Sequence, residues 1–539
     1  MYHCIVRILL ALARLTAPAA AALVAAPLAH ASPPPGAPAR GATPGGAAMV
    51  VPAGVAPGVA PGGVSGIEAQ QRLAQRLQRL AEDGLEPRDY AIPPDALART
   101  DPAGYAAALR HAAVAALADL LHGRVRELPN RPDIRRETAS LPLAPWVAEL
   151  AAAPEPAVVI ERAALLPPGA APLKRALAAA RARVAAGGWP VVPPMPGIEA
   201  LEPGMADAER VPALRARLAA VDPALAAAAP EDPLVYDEAL VAAVQRFQAG
   251  EGLEPDGRIG RMTFAALNRP AEVAVRQLRV ALDMRRATAP PGADRRIEVN
   301  IPWQRLQVIE AGRVALEMAV IVGKPARPTP VMRVRLTSVM FNPPWGVPER
   351  NAREDLLPKF RANPRAMMEK GFRVYGFADG QRVELDPLAI DWRSVQKDRF
   401  PYLIRQDAGD ANALGRIKFV IPNGEDIFMH DTPDRGLFRR AERAFSSGCI
   451  RLEKPMELLG IALQGTPGWD RARVEQVLAG RQTAVMTVGR SIPVRLHYTT
   501  VTIEGGEVRI RPDLYGLDEA YARALDAPRL PRLAELRTH

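Results

Sequence analysis

The spacing of apolar residues indicates that the first part of the chain is helical. From about residue 66, apolar side chains recur every three or four positions, as at Leu73, Leu77 and Leu80. This spacing places them on one face of an amphipathic helix. We therefore expect a helical domain over residues 67–200, with Pro-rich joints between its helices. Its sequence suggests no chemistry, and we interpret it as a scaffold.

A second helical segment, residues 201–270, contains a marked turn. One of its helices carries Leu240, Val244 and Phe247 at helical spacing. The tripeptide Pro-Asp-Gly follows at residues 255–257. It favours a tight turn, because Pro fixes φ, Asp bonds its own backbone and Gly permits positive φ. We expect a small helical module.

After a helical connector at residues 271–294, the apolar pattern shortens to a period of about two. The predicted strands cover residues 297–301, 305–309, 314–321, 335–341, 418–421, 427–430, 484–488 and 494–502. Many short strands with few helices indicate a β-sandwich or an open barrel. We therefore expect a multidomain α + β chain with a mainly-β domain at residues 295–505 and a C-terminal tail at residues 506–539.

The predicted strand series is interrupted by a long insertion, residues 349–412. A long segment between strands is usually functional or disordered. This one carries Trp392, Phe400 and Tyr402, which can build a small core. We therefore expect an ordered lid.

The N-terminus has the order of a secretory signal. Arg7 and Arg14 precede an uncharged, Ala-rich run at residues 15–28, and Ala29-His30-Ala31 offers a cleavage site. A membrane anchor is less favoured, because the run is shorter than the ~20 residues of a spanning helix. We expect a signal peptide at residues 1–31, a Pro/Gly/Ala-rich linker at residues 32–66, a periplasmic location and no transmembrane span after cleavage.

Charge and cysteine content narrow the chemistry. The net charge is +10, but no basic block is interleaved with aromatic residues, so we expect no nucleic-acid partner. The only cysteines are Cys4, in the expected signal peptide, and Cys449. An exported chain would then hold one unpaired thiol, where structural cysteines normally come in pairs. A buried cysteine that acts as a small hydrophobic residue is the alternative.

The candidate chemistry lies in two short segments, Phe428 to Pro433 and Ala444 to Leu452. His430 ends a predicted strand, and Cys449 lies nineteen residues later in a turn of small residues. An imidazole can take the proton of a thiol and so make it a nucleophile. Either residue alone would more often be structural, and only their combination in an exported chain favours catalysis.

Three neighbours of Cys449 are candidate substrate-binding residues. Gly448 leaves room for a substrate carbonyl, and the amides of residues 447–449 can form an oxyanion hole. Ser447 is part of this turn. Arg451 can hold a substrate carboxylate or help to keep the thiolate charged.

These segments resemble the active site of YkuD-type L,D-transpeptidases, especially their long periplasmic, YcbB-like subgroup. The resemblance rests on H-D-T-P at residues 430–433 and S-S-G-C-I-R-L at residues 446–452, and it extends over about residues 295–520. Further matching segments are Val322-Gly323-Lys324, residues 341–348, residues 412–419 and Asp513-Leu514-Tyr515-Gly516.

Residues 201–268 resemble the three-helix peptidoglycan-binding module. The resemblance rests on the pattern F-Q…G-L-x-x-D-G-x-I-G-x-x-T. It implies that this module holds peptidoglycan glycan and stem peptides. The alternative is that the module only spaces the enzyme.

The resemblance implies a cysteine acyltransferase that modifies the cell wall. Cys449 would attack the carbonyl at the L-centre of the third-position diamino acid of a tetrapeptide stem and release D-Ala. An amine of a second stem would take the acyl group and form a 3–3 crosslink. His430 would be the general base, and carbapenems would acylate Cys449 in place of the stem.

The sequence departs from the family pattern at two positions. Ser447 stands where the general motif has His, and Phe428 stands where the subgroup often has Tyr. In the family a backbone carbonyl near the histidine often orients the imidazole. Asp431 lies at that position, so it is the candidate orienting residue, through its carbonyl or its side chain.

Several alternatives stay open on sequence grounds. The same residues would serve an L,D-carboxypeptidase, in which water resolves the acyl-enzyme. A non-catalytic peptidoglycan-binding protein is a third reading of the chain. The seven histidines show no metal-ligand spacing, and we expect neither a metal nor another cofactor. The acyl acceptor could be a stem, a free D-amino acid or a protein amine, and other cell-wall synthases are candidate partners.

Overall fold

The computed structural model describes residues 66–128, 141–194, 200–286 and 294–530. The expected signal peptide, and all of the expected linker except residue 66, lie outside the described residues. Among the helices that are described, none is both long and apolar enough to cross a membrane.

The helices are, in chain order, α1 (Gly66–Gln78), α2 (Asp95–Thr100), α3 (Pro102–His122), α4 (Leu143–Ala152), α5 (Pro156–Leu165), α6 (Ala170–Ala185), α7 (Arg210–Ala219), α8 (Pro223–Ala227), α9 (Glu238–Glu251), α10 (Arg261–Leu267), α11 (Ala271–Arg285), α12 (Glu349–Asn351), α13 (Leu357–Ala362), α14 (Pro364–Glu369), α15 (Pro455–Leu463), α16 (Arg471–Ala479) and α17 (Leu517–Asp526). One π-helical turn, Ala352–Leu356, joins α12 to α13.

The strands are β1 (Arg295–Asn300), β2 (Arg305–Glu310), β3 (Arg313–Gly323), β4 (Met332–Phe341), β5 (Trp345–Gly346), β6 (Phe372–Ala378), β7 (Gln381–Leu385), β8 (Leu403–Gln406), β9 (Ile417–Val420), β10 (Met429–His430), β11 (Ala444–Ser446), β12 (Ile450–Leu452), β13 (Ala484–His497), β14 (Val501–Glu504) and β15 (Glu507–Ile510).

The N-terminal domain is helical, as the apolar spacing predicted. Its central helix α3 is buried from Ala112 to His122, and α1, α2, α4 and α5 all pack against it. Small side chains make this possible, because alanine lets neighbouring helices approach closely. Asp101 caps α3 by accepting a hydrogen bond from the amide of Gly104.

The small module contains α7, α9 and α10, with the one-turn helix α8 between the first two. Its predicted turn is stabilised by the side chain of Gln248, which accepts a hydrogen bond from the amide of Gly257 and donates one to the carbonyl of Arg258. Gly257 has a φ of +76°, which glycine adopts readily. The buried hydroxyl of Tyr236 donates to the carbonyl of Gly257 at 2.6 Å. The turn is therefore part of the module's core.

The segment expected as a C-terminal tail, residues 506–539, is folded through α17. β14 and β15 form a hairpin, and α17 packs against α11. Tyr521, Ala522 and Leu525 of α17 are buried in a cluster with Val280 of α11. This part of the segment folds because its apolar residues recur at helical spacing and so form a face that can be buried.

The mainly-β domain is built on a mixed sheet. The strand order is β11-β3-β12-β10-β9-β4-β13-β1-β2, and β2 also pairs with β3. This last pairing closes the sheet on itself, whereas the sequence predicted a sandwich or an open barrel. Closure is possible because β3 is eleven residues long and has β2 along one edge and β12 along the other.

The first of the two strands predicted near the C-terminus of this domain and residues 494–497 of the second form the single long strand β13, while the end of the second prediction, residues 501–502, belongs to β14. Its pairing with β4 shifts register between Thr487 and Ile492, where the apolar alternation is also interrupted. Along the regular parts, residues such as Met486, Val494 and Leu496 face the core, which the helix α15 helps to fill.

The insertion is ordered and has a core of its own. β5, β8, β6 and β7 form a second sheet, and the rings of Phe360 and Trp392 stack at a centroid distance of 4.3 Å. Tyr402 packs against both Trp392 and Phe400. The expectation of order is confirmed, and the role of the insertion as a lid stays a prediction.

Candidate active site

Three neighbouring strands carry the polar face of the closed sheet. His430 of β10 lies in register with Lys418 of β9 and with Arg451 of β12. The residues next to them in sequence, Phe419 and Met429 among them, are buried in the core. Since side chains alternate along a strand, Lys418, His430 and Arg451 share the opposite face.

Cys449 lies on the same face, immediately before β12. It precedes Arg451 by two residues, and the amide of Ile450 donates to the carbonyl of Phe428 at 3.0 Å. The cysteine therefore lies beside Phe428, one step along the sheet from His430. The structure thus brings together the three residues that the sequence singled out for chemistry, from segments nineteen residues apart.

The thiol of Cys449 is protonated at rest. Its sulfur lies 3.8 Å from the carbonyl oxygen of Asp426, and the residue is only partly exposed. Burial raises the pKa of the Cys449 thiol to about 11, although the amide of Phe428 and the cations Lys418 and Arg451 act in the opposite direction. A resting thiolate is therefore not favoured, and the proton must leave as the sulfur attacks.

His430 is neutral at rest and oriented by a backbone carbonyl. Burial, followed by the nearby charge of Arg451, lowers the pKa of His430 to about 3. Its Nδ1 lies 2.5 Å from the carbonyl oxygen of Asp431. A carbonyl can only accept, so Nδ1 carries the proton and Nε2 keeps its lone pair. This tautomer suits a base.

The carboxylate of Asp431 points away from the imidazole. It accepts a hydrogen bond from the amide of Arg416 at 2.9 Å and forms an ion pair with the guanidinium of Arg435. The carbonyl of Asp431, and not its side chain, is therefore the group that contacts His430. The side chain instead fixes the loop that follows the histidine.

Arg451 presents hydrogen-bond donors that the protein does not use. Its Nε is buried without a hydrogen-bond partner, and within the described residues no carboxylate pairs with its guanidinium. Burial lowers the pKa of Arg451. Buried donors are almost always satisfied, so the unused donors are suited to an anionic group that enters the site.

The turn before Cys449 has a conformation that requires glycine. Gly448 has a φ of +117°, and a Cβ added there would lie 3.0 Å from the side chain of Ile427. The amide of Gly448 donates to Ser446 Oγ, whose hydroxyl donates to the carbonyl of Cys449 at 2.6 Å. The amide of Gly448 is therefore occupied, which corrects the expectation that it helps to form an oxyanion hole. The amides of Ser447 and Cys449 are the remaining candidates.

The carbonyl of Gly448 is held by Thr329, a residue that the sequence did not single out, and Thr329 is held in turn by Tyr515. Thr329 Oγ1 donates to the Gly448 carbonyl at 2.7 Å and accepts from the amide of Gly323 at 2.8 Å. The hydroxyl of Tyr515 donates to the carbonyl of Gly323 and accepts from the amide of Thr329. The V-G-K and D-L-Y-G segments named in the resemblance therefore converge on this turn.

Ser447 connects the turn to the insertion. Its Oγ accepts hydrogen bonds from Arg327 at 2.7 Å and from Asn351 at 3.1 Å. Arg327 is buried and also pairs with Glu354 and Asp355 of the insertion. The side chain of Ser447 thus connects the turn before Cys449 to the start of the insertion. Nothing in the sequence indicated this connection.

Lys418 is a further residue that the sequence reasoning missed. Its ammonium lies 3.7 Å from the centroid of the Phe428 ring, and burial lowers the pKa of Lys418. The ring of Phe428 packs in turn against His430, with the ring centroids 5.6 Å apart. The alternation of residues 417–420 was the available signal, since it places Lys418 opposite the core.

Metal-ligating residues are not clustered in the described ranges. No group of three or more His, Cys, Asp or Glu residues there is placed to hold a metal ion.

Family models match three segments of the chain. Residues 294–474 match the YkuD family, described as the L,D-transpeptidase catalytic domain. Residues 207–267 match a family described as "Putative peptidoglycan binding domain", and residues 63–177 match a scaffold domain. The first segment contains the whole polar face.

One similar curated protein is "Putative L,D-transpeptidase" of Haemophilus influenzae strain Rd, with 43% identity over 240 residues. The alignment covers 44% of this chain and 48% of that protein, so the chain spans about half the length of its relative.

Solved structures of L,D-transpeptidases from Mycobacterium smegmatis and Stackebrandtia nassauensis are similar at 14% and 13% identity. The matches cover 38% and 57% of this chain and 59% and 97% of those chains, with TM-scores of 0.19 and 0.20. The matched families identify the domains, and residues 294–474 are an L,D-transpeptidase catalytic domain of the YkuD family, carried in one chain with a peptidoglycan-binding domain.

Proposed function

We propose that the protein is a periplasmic peptidoglycan L,D-transpeptidase that forms 3–3 crosslinks through Cys449. The observation that carries this proposal is the shared face of Cys449, His430 and Arg451 within a segment that matches the L,D-transpeptidase catalytic domain. The secretory pattern of residues 1–31 and the peptidoglycan-binding domain support action on the cell wall.

The first step is acylation of Cys449 by a tetrapeptide stem. The sulfur attacks the carbonyl carbon at the L-centre of the third residue, and His430 Nε2 takes the thiol proton. A C–S bond forms and the carbonyl oxygen becomes an oxyanion. When the oxyanion collapses, the C–N bond to D-Ala breaks and the imidazolium gives its proton to the leaving amine. The product is a thioester and free D-Ala.

The second step transfers the acyl group to an amine of another stem. The neutral amine attacks the thioester carbonyl and loses a proton to His430. The C–S bond then breaks, and the proton returns from the imidazolium to the sulfur. The depressed pKa of His430 keeps the imidazole neutral and ready to accept a proton at the start of both steps.

The negative charge that develops on the carbonyl oxygen in these steps must be stabilised by hydrogen-bond donors. The amides of Ser447 and Cys449 are candidates to hold the oxyanion, and the unused donors of Arg451 are suited to a carboxylate of the stem. Preorganised donors of this kind typically contribute about 3–4 kcal/mol each to acyl transfer.

Mass analysis of muropeptides tests the proposal. Sacculi or tetrapeptide stems are incubated with the full chain and with Cys449→Ala, and the products are separated and weighed. We expect 3–3 crosslinked dimers and free D-Ala from the unaltered chain, and neither product from the variant. Tripeptides without dimers would indicate hydrolysis by the same site. Dimers formed by Cys449→Ala would refute the assignment of the nucleophile.

A further inference from the structure

A cleft separates the peptidoglycan-binding module from the catalytic domain. Its volume is about 440 Å³, and its walls include the module residues Glu251 to Pro255 and the catalytic-domain residues Arg439 to Arg443. A second cavity of about 490 Å³ adjoins it, since both are lined by residues such as Leu253, Met262 and Arg440. Cavities of this size hold a ligand of small-molecule dimensions, so the joined cleft suits a short segment of a polymer.

The cleft is rich in arginines that the protein leaves unpaired. Arg439, Arg440, Arg443 and Arg511 all line it, and among the described residues none of the four forms an ion pair. Many other arginines in the described residues pair with a carboxylate, as Arg327 does.

Two of these arginines are held in place by contacts other than ion pairs. The Nε of Arg443 is buried and has no hydrogen-bond partner. The guanidinium of Arg511 stacks on the ring of Trp303 at 4.6 Å, and burial lowers its pKa. The other nitrogens of the Arg443 guanidinium donate to backbone carbonyls, among them that of Arg440 at 2.7 Å, which fix the side chain without neutralising it. A fixed guanidinium without a carboxylate partner is suited to bind carboxylates from outside.

The acidic residues of the cleft do not cancel this charge. Glu251, Glu254 and Glu442 line the first cavity, but Glu251 is already paired with Arg269 at 2.8 Å. Two free carboxylates thus face four unpaired arginines.

One chain segment links the wall of the cleft to the catalytic cysteine. Phe445 lines the second cavity and is 42% exposed. It belongs to β11, whose last residue, Ser446, hydrogen bonds to the carbonyl of Cys449. One continuous segment, residues 439–449, therefore forms a wall of the cleft at one end and carries the nucleophile at the other.

We propose that this cleft binds a stem peptide of the peptidoglycan through its free carboxylates, so that the module and the catalytic domain grip one wall strand together. The proposal rests on the proposed function for the identity of the polymer. It goes further by assigning wall binding to arginines of the catalytic domain, outside the matched binding module.

The test measures binding in the full chain with Cys449→Ala, so that turnover does not enter. This parent is compared with Arg439→Glu/Arg440→Glu, which reverses two exposed cleft arginines, and with Arg481→Glu/Arg490→Glu. The second pair is also exposed, belongs to the same domain and changes the net charge equally, but lines neither cavity. Pelleting with isolated sacculi at about 0.15 M salt gives the affinities.

We expect the cleft pair to weaken binding by about tenfold or more, and the control pair by less than about twofold. Equal losses in both pairs, or no loss in the cleft pair, would overturn the proposal. Because Cys449 is absent, failure here would leave the proposed chemistry untouched, and failure of the muropeptide test would leave this result standing.

A second arm does not depend on a variant's folding. Stem carboxylates of the sacculi are converted to amides with carbodiimide and ammonia, and the parent chain is pelleted again. We expect a loss comparable to that of the cleft pair. Unchanged binding to amidated sacculi would overturn the proposal even if the charge-reversed chain proved unfolded.

Discussion

The catalytic domain contains two histidines with similar electrostatics in different surroundings. His430 ends β10 and His497 ends β13, and both lie on the face of their strand opposite the core. Burial and a neighbouring arginine lower the pKa of both, to about 3 for His430 and to about 4 for His497. A depressed pKa therefore does not by itself mark a catalytic base in this molecule.

The difference lies in what faces each ring. His497 has the carboxylate of Glu298 nearby, which opposes the shift in its pKa, and its Nδ1 lies 3.0 Å from Thr499 Oγ1. No carboxylate influences the pKa of His430 in this way. His430 instead shares its face with the thiol of Cys449 and with Arg451, whose Nε has no hydrogen-bond partner. The comparison teaches that the neighbouring nucleophile separates a candidate base from a structural histidine.

The largest effect should follow from removing the base. His430→Ala should lower the rate of acylation by about 10²–10⁴-fold at neutral pH, because general-base assistance is typically worth that much. The rate of thioester formation with tetrapeptide, measured by rapid quench and mass spectrometry, gives the value. Circular dichroism should show a folded chain. If the variant were acylated at nearly the rate of the unaltered chain, His430 would be a structural histidine, as His497 is.

A smaller effect should follow from loosening the turn before Cys449. Thr329→Val removes the hydroxyl that joins Gly323 to Gly448, and the misplaced nucleophile should acylate about tenfold to a hundredfold more slowly. We expect kcat to fall with little change in KM, since both hydrogen bonds of the hydroxyl are to the backbone of Gly323 and Gly448. Thr329→Ser retains the hydroxyl and should restore most of the rate. If Ser and Val behaved alike, the hydrogen bonds would not position the thiol.

The pH profile of acylation should be nearly level across the neutral range. His430, with a pKa of about 3, can accept a proton above that pH, and Cys449, with a pKa of about 11, stays protonated below it. We therefore expect less than about a twofold change between pH 5 and 9. An inflection near pH 6.5, the ordinary pKa of histidine, would mean that His430 is not desolvated. A tenfold rise per pH unit would indicate an unassisted thiolate.

The smallest effect should come from the second histidine. His497→Gln should leave acylation within about twofold of the unaltered rate and lower the free energy of unfolding by about 1 kcal/mol, through its lost hydrogen bond. Parallel assays of acylation and urea unfolding measure both quantities. A loss of activity as large as that of His430→Ala would contradict the assignment of His497 as a structural residue.

Much of the fold could be predicted because the apolar period is strong where the elements are regular. The helical and strand-rich regions divide at the expected place, between α11 and β1. Closure of the sheet could not be predicted, since it depends on which strands pair with the two edges of β3. The alternation of apolar and polar residues indicates which face of a strand is buried, but it does not indicate which strands pair with it.

The candidate site was predictable in part for a similar reason. Cys449, His430 and Arg451 were found because their residue types carry chemistry and the strand pattern places His430 at a strand end. Thr329 and Arg327 were missed because their roles are long-range hydrogen bonds to residues 447 and 448. The occupied amide of Gly448 was also unpredictable, since only the folded turn brings Ser446 Oγ to it.

Acylation of Cys449 by a carbapenem is the most direct test of the central claim. The resemblance to L,D-transpeptidases leads us to expect that the β-lactam carbonyl is attacked in place of the stem carbonyl. Intact-mass measurement should show one adduct on the chain, and peptide mapping should assign it to Cys449. The adduct should be absent from Cys449→Ala, strongly slowed in His430→Ala and unaffected in His497→Gln. An adduct on another residue, or one that survives Cys449→Ala, would contradict the account.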